Sequence, residues 1–167
     1  MIEKNFISIR VVQAIAFLTI PIIFFFVNGN KFEQSISLFA YTIPIAFATC
    51  LTFAVALFIY DGVVDVGNYY NTWIGGCLLG VVIFGCKEYF ILHYMFAVMF
   101  FLGSFVNMII FSSKKFRKSI ILATLFVILG MISSLMFGGD YKILLLEIVG
   151  MFPISFYLAF KALGKIY

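Results

Sequence analysis

Charged residues are scarce in this chain. Only 11% of its 167 residues are charged, whereas 65% are hydrophobic and 20% are aromatic. Soluble domains carry about 25% charged residues and about 45–50% apolar ones. A domain of this size has too much surface to bury so many apolar side chains. The composition therefore excludes a water-soluble fold and predicts that lipid is the solvent for most of the chain.

Metal-binding, redox and catalytic motifs are also lacking. The chain has one histidine and three cysteines, with no CxxC spacing and no HExxH motif. Cys50, Cys77 and Cys86 fall inside or at the end of apolar segments, which is typical of small buried hydrophobic side chains. No glycine-rich phosphate loop, GxSxG elbow or Ser/His/Asp set stands in a suitable context. We therefore expect no catalytic residue, no cofactor and no bound metal.

Six long apolar stretches account for most of the chain. Each is close to the roughly 20 residues with which a helix crosses a bilayer, and Glu147 is the only charged residue within them. Continuous apolar runs indicate helices, because a helix satisfies its own backbone hydrogen bonds in lipid. The sequence predicts an all-α integral membrane protein, a single antiparallel bundle of six transmembrane helices. Their predicted ranges are 11–27, 36–60, 66–86, 89–113, 119–139 and 143–160.

Basic residues are distributed unevenly between the two sides of this topology. The side with both termini holds eight of the 11 lysines and arginines, and the other holds only Lys31, Lys87 and Lys142. The positive-inside rule therefore predicts that both termini are cytoplasmic. The net charge of +4 is then a topology signal, and we expect no nucleic-acid partner. The eight residues are Lys4, Arg10, Lys114, Lys115, Arg117, Lys118, Lys161 and Lys165.

Glu147 and His93 are the first candidates for a functional site. An ionisable residue inside a membrane helix is costly, so it is a functional hypothesis by default. Both lie four residues into their stretches, near the outer face, and His93 shares one side of its helix with Ser104 and Asn107. We hypothesise that His93 and Glu147 face each other across the bundle; the alternative is that each reaches interfacial water separately. The sharper hypothesis is a metal site that adds Glu88, Asp140 or Cys86.

A short acidic segment is a second candidate. Asp61 and Asp65 lie in the predicted second loop, on the cytoplasmic side, ahead of tyrosines and Trp73 that are typical of an interfacial belt. The two aspartates would bind a cation or a polar headgroup, or would be ordinary loop residues. The basic residues at 114–118 could attract anionic lipid headgroups, although their role in topology already explains them.

Small residues and prolines predict local packing. Gly76 and Gly80 form a GxxxG pattern, which favours close helix packing inside the bundle or between protomers. Pro21 and Pro44 lie within the first two predicted helices, where kinks would either form a cavity or have no further consequence. Pro153 is expected to bend the sixth helix.

Three segments resemble a known family: Asn71-Thr-Trp-Ile-Gly-Gly-Cys-Leu-Leu-Gly, His93-Tyr-Met-Phe-Ala-Val-Met-Phe-Phe, and Glu147 ahead of Phe156-Tyr-Leu-Ala-Phe. The pattern, within roughly residues 66 to 162, looks like the damage-regulated autophagy modulator (DRAM) and FRAG type of six-helix membrane protein, near the CREST grouping of ceramidases and adiponectin-type receptors. The resemblance implies that His93 matches the histidine opening the family's fourth helix and Glu147 the acidic residue of its last helix. The chain departs from the pattern because it lacks the long luminal Pro-Tyr-Ile-Ser loop. It also lacks the several histidines that hold zinc in the hydrolases of the wider grouping.

The functional expectation is a lipid-interacting or regulatory membrane protein without catalysis of its own. Its expected partners are membrane lipids, and either a membrane-protein partner or a second copy of the chain. The main alternative is a small transporter or channel subunit in which His93, Glu147 and Asn107 line a polar path. A third alternative is a metal-dependent lipid hydrolase. The compact size and the lack of a sorting motif suit a bacterial inner (plasma) membrane.

Overall fold

The structure is a computed structural model of the chain. It describes the backbone of residues 2–65, 67, 69–137 and 142–163, and the side chains of these except 2–8, 115, 131–137 and 142. Within these ranges the chain is helical and has no strand, which confirms the predicted all-α class. The elements are α1 (Ile2–Val27), a 3₁₀ turn (Ile36–Leu38), α2 (Phe39–Thr42), α3 (Pro44–Val64), α4 (Tyr70–Ile83), α5 (Phe90–Phe111), α6 (Lys114–Phe137) and α7 (Lys142–Ala162).

Four helical segments of the described chain are long and apolar enough to cross a membrane. They are Ile9–Val27, Pro44–Val64, Phe90–Phe111 and Ile143–Ala162. The apolar helix α4 is shorter, with 14 residues, and α6 has 24 residues. The predicted third stretch began at position 66 and the fifth ended at position 139; both positions lie outside the described residues.

The second predicted helix, over residues 36–60, is wrong at its start. The chain forms the 3₁₀ turn and the four-residue helix α2, and the helical path then breaks at Ile43, where φ is −134° and ψ is 59°. A proline disfavours helical geometry in the residue before it, because its ring clashes with that residue's backbone. Pro44 therefore begins α3 instead of bending a longer helix, since its missing N–H is harmless in a first turn.

Three of the charged residues that the predicted ranges excluded are buried inside helices. Arg10 is within α1, which begins at Ile2, and Lys161 is in the last turn of α7. Asp61 is within α3, so its predicted position in a loop is wrong. Charges interrupt an apolar pattern in the sequence, but a helix can continue through them where partners satisfy them.

The long helices form one bundle in which α1 lies between α3 and α7. In addition, α3 packs against α4, α4 against α5, and α6 against α5 and α7. We call the end with the 3₁₀ turn the turn end, and the end where α1 begins and α7 finishes the terminal end. Halfway between them, the rings of Phe17, Phe58 and Phe100 contact one another, with centroids 5.4 to 6.0 Å apart. We call these three rings the aromatic layer.

Glycines allow α4 to approach both of its neighbours. A Cβ at Gly80 would overlap the ring of Phe96 on α5, and one at Gly75 would meet Phe58 on α3 at 3.1 Å. Gly80 therefore packs closely within the bundle, as the GxxxG pattern predicts. Gly76 is exposed and has open space around its Cα, so Gly75 makes the second close contact instead. The alternative for Gly76, a contact between protomers, stays a prediction.

Candidate functional site

His93 anchors the 3₁₀ turn to α5. Its imidazole is 2% exposed, with Nε2 2.7 Å from the hydroxyl oxygen of Ser37 and Nδ1 2.7 Å from the carbonyl oxygen of Phe84. A carbonyl can only accept a hydrogen bond, so Nδ1 must carry a proton and donate it. In the neutral imidazole, Nε2 is then the acceptor and the Ser37 hydroxyl is the donor. The local contacts therefore determine the tautomer.

Glu147 holds the same turn from α7. Its Oε2 accepts a hydrogen bond from the backbone N–H of Ile36 at 2.6 Å. One turn earlier on α7, the backbone N–H of Leu144 donates to the carbonyl oxygen of Gln34 at 2.9 Å. The first residue of the turn and Gln34 just before it are thus hydrogen-bonded to α7, while Ser37 in the turn is hydrogen-bonded to α5.

His93 and Glu147 are consequently brought to adjacent residues of one turn. Glu147 contacts Ile36 and His93 contacts Ser37. Among the described residues, no hydrogen bond or ion pair joins the imidazole to the carboxylate directly. Both side chains thus lie near one end of the bundle and are connected through the turn, and the hypothesis that they face each other across the bundle stays a prediction.

A cavity of about 40 Å³ lies beneath the turn. Ile36, Ser37 and Glu147 line it at the turn end, and Phe17 and Phe100 line it toward the middle of the bundle. Its other walls are side chains of α3, α4, α5 and α7, almost all of them apolar. Ser37 therefore borders a small, mostly apolar space that has two rings of the aromatic layer among its walls.

The sharper hypothesis of a metal site does not assemble in the described part of the chain. No group of three or more His, Cys, Asp or Glu side chains lies there in a position to hold a metal ion. Both ring nitrogens of His93 are occupied, and Glu88 accepts a hydrogen bond from the Tyr41 hydroxyl. Asp140 lies outside the described residues, and burial raises the pKa of the Cys86 thiol, which disfavours the thiolate that binds metals.

Tyr41 and Glu88 form a separate contact at the turn end, outside the four segments that are long and apolar enough to cross a membrane. The Tyr41 hydroxyl donates to Glu88 Oε2 at 2.5 Å and accepts from the backbone N–H of Lys87 at 2.9 Å. Desolvation and the hydrogen bond to Glu88 raise the pKa of Tyr41 to about 12. The same hydrogen bond lowers the pKa of Glu88. The neutral phenol and the charged carboxylate therefore stabilise each other.

A buried polar network occupies the terminal end. Arg10 Nε donates to Asp61 Oδ1 at 3.1 Å, and Asn71 Nδ2 donates to Asp61 Oδ2 at 2.6 Å. Asn107 Nδ2 reaches Asn71 Oδ1 at 3.4 Å, and Arg10 also pairs with the half-buried Asp65. Asp61 is completely buried. Its carboxylate is therefore occupied by protein donors, which leaves little room for the predicted cation or headgroup.

Two side-chain amides near this network have polar atoms that form no hydrogen bond in the described structure. Gln13 is completely buried, and neither polar atom of its amide has a hydrogen-bond partner in the described structure. The carbonyl oxygen of Asn107 is likewise buried and unpaired there. Ser104 donates to the carbonyl oxygen of Phe100 in its own helix. The polar residues that were predicted to share one side of α5 therefore belong to different sites, because His93 lies at the turn end and Asn107 at the terminal end.

The aromatic layer separates these two polar groups. His93 and Asn107 are 14 residues apart on α5, which is about 21 Å along the helix axis. Phe100 stands midway between them, in contact with Phe17 and Phe58. A polar path from one end to the other would have to pass through this layer. The bundle therefore has two separate polar sites.

A large groove lies on the surface between α4 and α5. Its volume is about 580 Å³. Trp73 overlies Gly103, whose missing side chain makes room for the indole. Asn107 and the tyrosines at the start of α4 are its polar lining residues, and they lie toward the terminal end. The lining residues are Tyr69, Tyr70, Trp73, Val98, Met99, Leu102, Gly103, Val106, Asn107, Ile110 and Phe111.

The chain matches the model of a known protein family. The model of a family of unknown function, DUF7103, matches residues 19–162. The chain belongs to this family. The match extends from α1 to the end of α7 and includes both polar sites except Arg10 and Gln13. No curated protein and no solved structure matches the chain, and the resemblance to the DRAM and FRAG type stays a prediction.

Sequence reasoning missed several residues of these sites, among them Ser37 and Arg10. Ser37 is 56 positions from His93, and nothing distinguishes it in the sequence from the other serines of the apolar stretches. Arg10 was assigned to the N-terminal flank because it precedes the first uncharged stretch. The available signal for Arg10 was the pair Asp61 and Asp65 on the same predicted side, since buried acidic groups require a cation.

Proposed function

We propose that the chain is a multi-pass membrane protein with six spans, which binds an anionic phospholipid in the groove between α4 and α5. The four long apolar segments support the membrane assignment, and α4 and α6 would supply the other two spans. With 14 residues, α4 is about 21 Å long, so flanking residues would complete its crossing of a core about 30 Å thick. The distribution of basic residues supports a cytoplasmic terminal end, and a bacterial inner membrane fits the compact chain.

The shape and lining of the groove carry the lipid proposal. The groove is a long apolar hollow on a face that would meet the acyl chains of the bilayer, and Val106, in its wall, is 53% exposed. Tyr69 and Trp73 are exposed at its terminal end. Such rings favour the depth of the lipid headgroups, because they combine apolar faces with a polar group. An acyl chain in the groove would thus leave its headgroup beside these rings.

Positive charge near the same end favours an anionic headgroup. Lys161 donates to the Tyr70 hydroxyl at 2.7 Å, and its ammonium group lies 5.9 Å from the centre of the Phe111 ring. Both aromatic residues line the groove. Helix α6 begins with a basic run over residues 114–118, three residues after Phe111. Lys161 itself is buried, so the attraction for lipid comes from the run at 114–118, in which Lys114 is exposed. Each basic residue near the surface attracts anionic lipid by about 1 kcal/mol, so the groove would prefer anionic over zwitterionic lipids.

Two alternatives make different demands on the chain. A transporter would need a continuous polar path, and the aromatic layer between His93 and Asn107 argues against one in this conformation. Replacing Glu147 by glutamine should then leave ion flux in reconstituted vesicles unchanged. A regulatory protein would require a partner that co-purifies in mild detergent. The lipid proposal requires only the groove and the charges beside it.

The single tryptophan provides a direct test, because Trp73 lies in the groove. The full chain would be reconstituted in phosphatidylcholine vesicles that contain a small, fixed fraction of lipid with brominated acyl chains, which quench indole fluorescence on contact. Brominated phosphatidylglycerol should quench Trp73 more strongly than brominated phosphatidylcholine. If two basic residues of the run at 114–118 each contribute about 1 kcal/mol, phosphatidylglycerol should bind roughly 30-fold more tightly than phosphatidylcholine.

A matched pair of variants tests whether the groove is responsible. Val106→Phe fills the groove and should abolish the preference for brominated phosphatidylglycerol. Leu129→Phe adds similar volume at an exposed position on α6, away from the groove, and should retain the preference. Equal quenching by the two lipids in the unmodified chain would refute the proposal, and so would an unchanged preference in Val106→Phe.

A further inference from the structure

We propose that Ser37 and His93 form a nucleophilic dyad that cleaves short-chain acyl esters at the turn end of the bundle. The site is distinct from the lipid groove, which lies between α4 and α5 and has its polar lining toward the terminal end. The two proposals are independent, and each can fail without the other.

The contact between the two side chains has the geometry of an activated serine. A serine hydroxyl is a weak nucleophile unless an adjacent base accepts its proton, at a separation of about 2.6–3.2 Å. The distance from Ser37 Oγ to His93 Nε2 is 2.7 Å. The bond from Nδ1 to the Phe84 carbonyl oxygen leaves Nε2 as the unprotonated nitrogen of the neutral ring. Phe84 therefore orients the base, as the third member of a catalytic triad does.

The turn is held firmly enough to preserve this alignment. The backbone N–H of Ile36, next to Ser37, donates a hydrogen bond to Glu147 at 2.6 Å. The backbone N–H of Leu144 donates another to the carbonyl oxygen of Gln34. Ser37 and His93 are both buried. Glu147 thus acts as a positioning residue, because it fixes the backbone that carries the nucleophile and does not itself contact the hydroxyl.

The cavity beneath Ser37 indicates the class of substrate. Its volume is about 40 Å³, whereas one water-sized group needs about 10–15 Å³ by this measure. Space for about three such groups suits an acyl chain of two to four carbons, by the same estimate. The walls are almost entirely apolar, and Phe17 and Phe100 are among them. A longer or charged acyl group would not fit.

The reaction is an ordinary acyl transfer with water as the second substrate. Ser37 Oγ attacks the ester carbonyl carbon while its proton passes to His93 Nε2, and the bond from that carbon to the alkoxy oxygen breaks. The leaving alcohol takes the proton from Nε2. Water then attacks the acyl-serine, again with His93 as base, and the products are a carboxylic acid and free Ser37. Ester and water are consumed in equal amounts, and no redox change occurs.

The competing explanation is that His93 only anchors the turn. The substitution His93→Gln separates the two roles, because its amide oxygen can accept the hydrogen bond from Ser37 but cannot take up the proton. If the contact is only structural, His93→Gln should behave like the unmodified chain in every assay. If His93 is a base, the variant should remain folded and lose reactivity.

The test uses the full chain in mild detergent, with methanesulfonyl fluoride as a serine-directed probe whose single methyl group fits the cavity, and with p-nitrophenyl acetate as substrate. Peptide mass spectrometry should locate the adduct on Ser37, and Ser37→Ala should abolish both the adduct and the ester hydrolysis. Removal of a general base typically reduces the rate about 10²- to 10⁴-fold. His93→Gln should therefore label at least about 100-fold more slowly, with an unchanged melting temperature.

Ser104→Ala is the matched control. Ser104 is also a buried serine on the bundle interior, but its hydroxyl bonds to the backbone of Phe100 and contacts no imidazole. Labelling and hydrolysis should be unchanged in this variant. Absence of an adduct on Ser37 in the folded, unmodified chain would overturn the proposal. Full labelling in His93→Gln would overturn the role of His93 as base.

Discussion

Arg10 and Asp61, which are 51 positions apart, form an ion pair inside the bundle with the aspartate completely buried. Asn71 donates to the second carboxylate oxygen, so one side chain joins α1, α3 and α4. Charges in a medium of low dielectric constant are costly unless they are paired and hydrogen-bonded. The pair therefore determines how these three helices are aligned at the terminal end.

Removal of Arg10 should destabilise the bundle strongly. Arg10→Met leaves the carboxylate of Asp61 buried with only a neutral donor, and breaking a buried pair in this way costs about 3–5 kcal/mol. The free energy of unfolding in mixed detergent micelles measures the loss. Asp65→Asn is the control, because Asp65 is half-buried and Arg10 keeps its bond to Asp61. Its effect should be within about 1 kcal/mol.

The double variant Arg10→Met with Asp61→Leu should recover much of this loss. It replaces both charges by apolar groups, which is often neutral or stabilising compared with a broken pair. If Arg10→Met were no less stable than Asp65→Asn, the ion pair would not be important for the fold. If the double variant were less stable than Arg10→Met, the hydrogen bonds around Asn71 would contribute more to the stability of the bundle than the ion pair does.

The helical class could be predicted because it depends on local composition alone. Six nearly uncharged stretches imply helices whatever their arrangement, and a described helix occupies most of each of them. The ends of the helices could not be predicted where a charged residue pairs with a residue far away in the sequence. Asp61 reads as a loop residue in the sequence, and only its contact with Arg10 explains why α3 continues past it to Val64.

The candidate site could be predicted only in part. His93 and Glu147 are recognisable because ionisable residues in apolar stretches are rare, and their equal depth indicates the same end of the bundle. The partners could not be predicted, since Ser37 and the carbonyl of Phe84 carry no signal in the sequence. The break before Pro44 was predictable from proline geometry, and it is what allows Ser37 to lie in a turn over the bundle.

Gly80 and Gly76 should respond differently to the same substitution. In Gly80→Ala the new methyl group would overlap the ring of Phe96, and such overpacking typically costs about 1–3 kcal/mol. In Gly76→Ala the methyl group enters open space, so the stability of the bundle should not decrease. The melting temperatures of the two variants in one detergent compare them directly. A larger loss for Gly76→Ala would mean that this face packs against another chain.

Glu147 should control the opening of the 3₁₀ turn. Glu147→Leu leaves the N–H of Ile36 without its acceptor, and a buried donor left without a hydrogen-bond partner costs about 1–3 kcal/mol. Hydrogen–deuterium exchange at the Ile36 amide should therefore accelerate roughly 5- to 150-fold. Glu147→Gln keeps an acceptor oxygen and should exchange much more slowly than Glu147→Leu. Identical exchange in all three proteins would show that the Ile36 contact does not hold the turn.

The contact between Tyr41 and Glu88 should make stability depend on pH at both extremes. The pKa of Tyr41 is raised to about 12 in the folded chain, against about 10 in the unfolded chain. The folded state therefore binds more protons between these values, so the contribution of Tyr41 is present below about pH 10 and is lost as pH rises toward 12. The pKa of Glu88 is lowered, so its contribution is present above its unfolded pKa and is lost as pH falls through the folded value. Tyr41→Phe should remove the dependence at high pH. It should weaken the dependence at low pH without abolishing it, because a backbone hydrogen bond and Lys87 also lower the pKa of Glu88. Glu88→Ala should move the phenolate absorbance of Tyr41 toward pH 10. A phenolate titration unaffected by Glu88→Ala would leave desolvation as the whole cause of the raised pKa.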